Sequence, residues 1–199
     1  MNEFCYFSTP IYRREAPELV GSTLKCTDRY ISAQRDLRES LYADVLQTVS
    51  LEHDPDISDV LSLFVRTAVD ILEEQGYDTS LYNFYPVAWA QSIISPGYHD
   101  IHIHPNVCVS ALFFLQVPEN GSFPVFQDPR SGKNASELRE RSNELNVISH
   151  STSLIHFDNV IPGTMLLFNS WLPHKLSQSR TNIPTKFLHL GLSYEGKKL

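Results

Sequence analysis

The chain has 199 residues, 42% of them hydrophobic and 11% aromatic, and carries a formal net charge of −7. A chain of this length buries roughly 70% of its unfolded surface, so one core can hold it without disulfide staples. The acidic balance and the lack of a basic cluster exclude a phosphate track for nucleic acid, and no apolar run reaches the ~18 residues of a membrane-spanning helix.

Residues 1–20 read as an extended lead-in, punctuated by Pro10 and Pro17. The first residues lack a basic stretch and a long apolar stretch, so no secretory signal is expected. The cysteines are Cys5, Cys26 and Cys108, an odd count without a C-x-x-C pair. They point to a reducing, cytoplasmic setting.

Residues 31–52 predict an amphipathic helix, because Leu37, Leu41, Val45 and Val49 recur every fourth position. Residues 57–76 predict a second, with Ile57, Val60, Leu61, Phe64, Val65, Ala68, Ile71 and Leu72 on one stripe. Asp54, Asp56 and Ser58 are candidate caps at its start and Gly76 is its stop.

The texture changes at residue 80. Short aromatic and β-branched runs alternate with Pro, Gly and Asn turns, and predict strands over 86–94, 100–104, 107–117, 122–127, 151–157, 164–169 and 186–195. Strands this short and this closely spaced suggest a sandwich or barrel. Residues 128–150 are polar and charged, as in a long loop over a site. The expectation is one domain over 1–199, with 1–79 supplying a strand and supporting helices and 80–199 supplying the β core.

The chemistry concentrates in two segments. The first is Pro96-Gly97-Tyr98-His99-Asp100-Ile101-His102-Ile103-His104-Pro105-Asn106. In a strand, alternate side chains share a face, so Asp100, His102 and His104 lie on one side and Ile101 and Ile103 on the other. Two imidazoles can then aim at one point, and imidazole is the commonest ligand for iron, zinc, copper and nickel. The second segment runs Ile161-Pro162-Gly163-Thr164-Met165-Leu166-Leu167-Phe168-Asn169-Ser170-Trp171-Leu172-Pro173-His174. It is a turn and an apolar strand ending in a third histidine. Together His102, His104 and His174 would form a triad that leaves metal positions open.

These segments resemble the 2-oxoglutarate- and iron(II)-dependent oxygenases whose pattern runs H-x-H-P, then S-G-V-Y-Y, then D-P-R, then P-x-x-G…F-P-S-W-L-x-H. Here the text reads His102-Ile103-His104-Pro105-Asn106, then Ser110-Ala111-Leu112-Phe113-Phe114, then Asp128-Pro129-Arg130, then Pro162-Gly163 through Phe168-Asn169-Ser170-Trp171-Leu172-Pro173-His174. Phe7-Ser8-Thr9-Pro10-Ile11-Tyr12 resembles the family's opening, and Trp89 matches a tryptophan ahead of the first ligand strand. The likeness covers most of the chain, with its motifs in the family's order. It implies a mainly β fold with helical support: a double-stranded β-helix, or cupin-like jelly roll, whose N-terminal helices pack on one sheet.

The resemblance also implies roles. His102, His104 and His174 would bind Fe(II), leaving room for 2-oxoglutarate and then O₂. Most of the wider superfamily has a carboxylate at the middle position, where this chain has His104. Three neutral ligands leave the ion its full 2+ charge, which favours an anionic co-substrate. Asp100 could orient His102, and Asp128 is a second candidate carboxylate.

A cation is expected on the strand after the distal histidine, to hold the far carboxylate of 2-oxoglutarate, and an Arg fork suits it best. Spacing from His174 favours Lys186. Aligning Ser193-Tyr194 with the family's closing S-F puts His189 there instead, and Arg180 is nearer but in a turn. Ser110, Phe114 and Tyr98 are candidate pocket residues, and Trp171 could lie under the metal. His99 and His150 receive no role. Neither does His156, whose His156-Phe157-Asp158 run lacks a strand partner led by Pro-Gly.

The leading expectation is hydroxylation, or another oxidation, of a small-molecule or peptidyl substrate. A three-histidine cupin-type dioxygenase without a 2-oxo acid is the alternative that the missing arginine favours. A non-catalytic metal- or ligand-binding jelly roll is the third. No membrane or nucleic-acid partner is expected.

Overall fold

A computed structural model of the chain describes residues 7–37, 44–130 and 153–197. Among these residues, ten antiparallel strands form two sheets: β1 (Ile11–Glu15), β2 (Val45–Gln47), β3 (Tyr82–Ile93), β4 (His99–His102), β5 (Val109–Gln116), β6 (Pro124–Gln127), β7 (Leu154–His156), β8 (Thr164–Asn169), β9 (His174–Leu176) and β10 (Thr185–Gly196). Six are ordered β1-β8-β5-β10-β3-β2, and the other four β4-β9-β6-β7. Two helices, α1 (Val20–Leu37) and α2 (Ser58–Glu74), cover the outer face of the larger sheet.

Strand alternation sorts the core into two layers. Ala88, Ala90, Ala111, Phe113, Leu188 and Leu190 turn outward, where α2 meets them with Val60, Phe64, Ala68 and Ile71. Their neighbours Ile93, Leu112, Phe114, Phe168 and Phe187 turn inward, against Phe126 and Leu176 of the smaller sheet. Both faces of β5 and β8 are therefore covered, which is why these strands read as unbroken apolar runs.

The second predicted helix lies where its stripe placed it. Asp54 caps the 3₁₀ turn Pro55–Ile57 that leads into α2 by accepting from the Asp56 N–H. At the far end Gly76 adopts φ +90°. The Gly76 N–H donates to Glu73 O (2.9 Å) and the Tyr77 N–H to Leu72 O (3.0 Å), closing a Schellman cap.

The first predicted helix is corrected. It runs over Val20–Leu37, not 31–52, and Val45–Gln47 form strand β2 beside β3. Its buried face is carried by Thr23, Cys26, Thr27 and Ile31, a stripe too polar to register by hydrophobicity. The four-residue spacing that continued to Val49 was coincidental, since pairing with β3 buries Leu46 and leaves Val49 exposed. Residues 38–43 lie outside the described residues, as do 131–152, which hold most of the predicted 128–150 loop.

The extended lead-in contains β1, which pairs with β8 at the edge of the larger sheet. Strand β9 went unpredicted because only three residues pair there.

Candidate metal centre

His102 and His174 oppose each other across β4 and β9. Their rings lie 4.5 Å apart between centroids, and His104 joins them at 4.9 Å from His102 and 5.1 Å from His174. One ligating nitrogen from each lies within 4.8 Å of the others. Among the described residues no carboxylate belongs to this group.

Backbone carbonyls orient two of the rings. His102 Nδ1 sits 2.7 Å from the Asp100 carbonyl, and His174 Nδ1 sits 2.9 Å from the Leu172 carbonyl. A carbonyl only accepts, so each Nδ1 carries the proton and each Nε2 keeps its lone pair. His174 Nε2 is buried and has no hydrogen-bond partner. A buried lone pair without a donor is what a cation would satisfy. Asp100 does orient His102, through its backbone oxygen rather than its carboxylate, and its side chain is exposed.

His104 reaches the cluster by a route that strand alternation does not describe. Strand β4 ends at His102, with an irregular register between His99 and His102. Beyond it, the His104 N–H donates to the Ser170 carbonyl at 3.0 Å. This ties the first ligand segment to the turn before His174. Ser110 Oγ lies 2.8 Å from Ser170 Oγ behind that turn, so Ser110 supports the segment and does not line the cavity.

A cavity of about 280 Å³ opens beside the cluster. Its walls include Gln47, Trp89, Gln91, Asp100, Leu112 and His189. Trp89 and His189 face each other across β3 and β10 and stack at 4.0 Å and 15°. His189 Nε2 stands 3.1 Å from His104 Nε2. Trp89 Nε1 and His189 Nδ1 are buried without partners. Gln91 donates to Gln47 at 2.8 Å. Gln47 passed unnoticed in the sequence because β2 was hidden inside the misplaced helix, and Gln91, though in a predicted strand, carried no motif that marked it.

Burial sets the electrostatics. Loss of water pushes His174 down to about 3 and His104 down to about 4, and neighbouring imidazoles add to both shifts. His189 lies well below its ordinary value and His99 is lowered too, again by burial first. His104, His174 and His189 are therefore neutral at pH 7, the form that ligates metal. The described donor set of neutral imidazole nitrogens fits Fe(II), Zn, Cu or Ni.

The other predicted site residues are dispersed. Lys186 turns to the helix side of the sheet, where its Nζ meets Asp28 of α1 at 2.6 Å. Arg180 is exposed and outside the cavity wall. Asp128 forms an ion pair with Arg130 at 2.6 Å and does not belong to the ligand group. Phe114 belongs to the core between the sheets, and Tyr98 and Trp171 are about half exposed. His156 packs its ring near Phe123, away from the three histidines, while His99 lines the cavity. His150 lies outside the described residues.

Residues 87–184 match a family described as "Putative 2OG-Fe(II) oxygenase". Solved structures share the fold. A prolyl-4-hydroxylase from Pseudomonas putida superposes with a TM-score of 0.61 at 12% identity, covering 96% of this chain and 95% of its own. The 2-oxoglutarate-dependent epimerase SnoN of nogalamycin biosynthesis gives 0.63 at 11% identity, covering 93% and 76%. HygX from Streptomyces hygroscopicus, solved with nickel, 2-oxoglutarate and hygromycin B, gives 0.57 at 14% identity, covering 93% and 83%. No curated protein matches the chain. The fold is the double-stranded β-helix that the motifs implied.

Proposed function

We propose that this chain, which belongs through residues 87–184 to the 2OG-Fe(II) oxygenase family, holds its iron on His102, His104 and His174 and oxidises a small-molecule or peptidyl substrate. The observation that carries this reading is the convergence of three ligand nitrogens within 4.8 Å, two of them on rings oriented by carbonyls. When bound, iron would activate O₂ as the oxidant, while 2-oxoglutarate would give up two electrons, lose CO₂ and become succinate, so that one oxygen atom ends in succinate and one in product.

The chain's own residues do the rest. Asp100 O and Leu172 O hold the proton on Nδ1 of His102 and His174, so neither ring must reorganise when the cation arrives. Leu112 and Leu176 dry the cavity wall, which strengthens every charge interaction inside it. His189, Trp89 Nε1 and Gln91 are the polar groups available to the far carboxylate of the co-substrate. We assign no part in that role to Lys186, whose Nζ meets Asp28, or to Arg180, which is not on the described cavity wall.

We place this activity in one domain over residues 1–199 and in the cytoplasm, consistent with the free thiols of Cys26 and Cys108. Among the described residues no helix is long and apolar enough to cross a membrane.

The test is anaerobic reconstitution with Fe(II), followed by 2-oxoglutarate. A visible charge-transfer band that needs both components, and succinate once O₂ is admitted, is the expected result. A second reading, a three-histidine dioxygenase without a 2-oxo acid, draws on the lack of any Arg or Lys on the described cavity wall. Iron loading with no band and no succinate, but with O₂ uptake, would select it.

A further inference from the structure

We infer that the apolar groove sharing His104 with the histidine cavity seats the substrate, and that this substrate is a small molecule without negative charge, built around an aromatic or alicyclic ring. The inference rests on the oxygenase reading above. Segment 102–105 divides two spaces: His102 and His104 border the metal cavity, while Ile103, His104 and Pro105 border the groove. His104 is thus a wall common to both.

The groove encloses about 440 Å³, a volume typical of small-molecule sites. Its walls are rings: Tyr77 after α2, Tyr82 at the start of β3, Tyr194 at the end of β10, and Trp171 three residues before His174. Tyr82 and Tyr194 meet edge to face at 5.5 Å and 90°, so their faces stand as a corner open to a third ring. Tyr77, Tyr194, Trp171 and Ile103 remain 58%, 51%, 49% and 46% exposed. A contiguous half-exposed patch of this kind marks a binding surface rather than a core.

Charge narrows the ligand. Among the described residues, no Asp, Glu, Lys or Arg lines the groove. Asn169, its buried amide, is spent in a reciprocal pair with Gln75 at 2.9 and 3.0 Å. The adjoining basin of about 670 Å³ shares Tyr77, Asn169 and Trp171, and Glu74 is the charged residue on its wall. No cationic side chain on the described walls compensates an anion, and stripping water from an uncompensated charge is costly.

The probe is 2-naphthol, followed by its own proton NMR relaxation with the full-length protein, apo and loaded with Zn(II) or Mn(II). Expected are saturable binding, about tenfold weakening in Tyr77→Ser and in Tyr194→Ser, and none in Tyr85→Ser, a half-exposed tyrosine outside the groove. The anion 2-naphthoate should bind at least about tenfold more weakly. Mn(II) should speed the bound probe's relaxation where Zn(II) does not. Binding indifferent to Tyr77 and Tyr194, preference for the anion, or no Mn(II) effect on a protein shown to hold Mn(II) would each overturn the inference. If the protein holds no metal at all, the oxygenase reading fails and the substrate role falls with it. Tyrosine-dependent binding in the apo protein would then still register a ligand groove.

Discussion

At the scale of single residues, the site is a set of imidazoles whose protons are already placed. His174 contributes most, because its Nε2 is buried with no partner and its Nδ1 is pinned to Leu172 O. His174→Ala should keep the fold and lower divalent-metal affinity by more than the roughly 10–100-fold typical of losing an outer-shell partner. Calorimetric titration of metal into the variant measures this, and wild-type affinity would remove His174 from the ligand set. Lys186 provides the opposite control. Its salt bridge to Asp28 is half buried and faces α1, so Lys186→Met should cost up to about 1 kcal/mol of stability and leave 2-oxoglutarate binding unchanged. A loss of co-substrate affinity in that variant would restore the lysine to the site.

At the scale of elements, two glycines with positive φ separate strain from collision. Gly76 has φ +90° and open space where a Cβ would go, so Gly76→Ala should cost about 1 kcal/mol, the left-handed penalty alone. Gly163 has φ +96°, and an added Cβ would stand 2.7 Å from Pro17 Cα. That contact is where β8 begins and where the Ala16 N–H donates to Gly163 O before α1. Gly163→Ala should therefore cost clearly more, above about 2 kcal/mol, as urea unfolding of the two variants will show. Equal costs would mean that the Pro17 contact relaxes freely.

The same scale explains which elements were legible. Helix α2 was, because its apolar stripe, its Asp54 cap and its Gly76 stop agree. Helix α1 was not, because threonines and a cysteine carry its buried face. Strands β2 and β9 were not, because strands of three residues carry too little alternation to read and are defined by the partners they pair with.

At the scale of the whole molecule, burying neutral histidines links stability to pH. His174 falls to about 3 and His104 to about 4, while both are ordinary in the unfolded chain. The folded apo-protein thus binds fewer protons than the unfolded chain below about pH 6.5. Full stability holds above that value and is lost as pH drops toward the folded values, by about 2 kcal/mol at pH 5 for the deeply buried His174 and by less for the more exposed, better screened His104. Scanning calorimetry of apo-protein should show Tm falling from pH 7.5 to pH 5. Added divalent metal should raise Tm strongly at pH 7.5 and weakly at pH 5, because protons compete for the same lone pairs. A Tm independent of pH across that range would contradict the neutral assignment.

The order of motifs along the chain pointed to the family that residues 87–184 match, to the three candidate ligands and to the β character of residues 80–199, since Pro-Gly turns and apolar alternation are local signals. The paths that bring these groups together were decided only in three dimensions. His104 is held by Ser170 O across the turn, Lys186 is turned away by the parity of β10, and Gln47 enters the cavity wall from an edge strand. In each case the deciding contact joins residues far apart in the chain. One-dimensional spacing says which faces a residue can share, but closing the two sheets selects the neighbours it meets there.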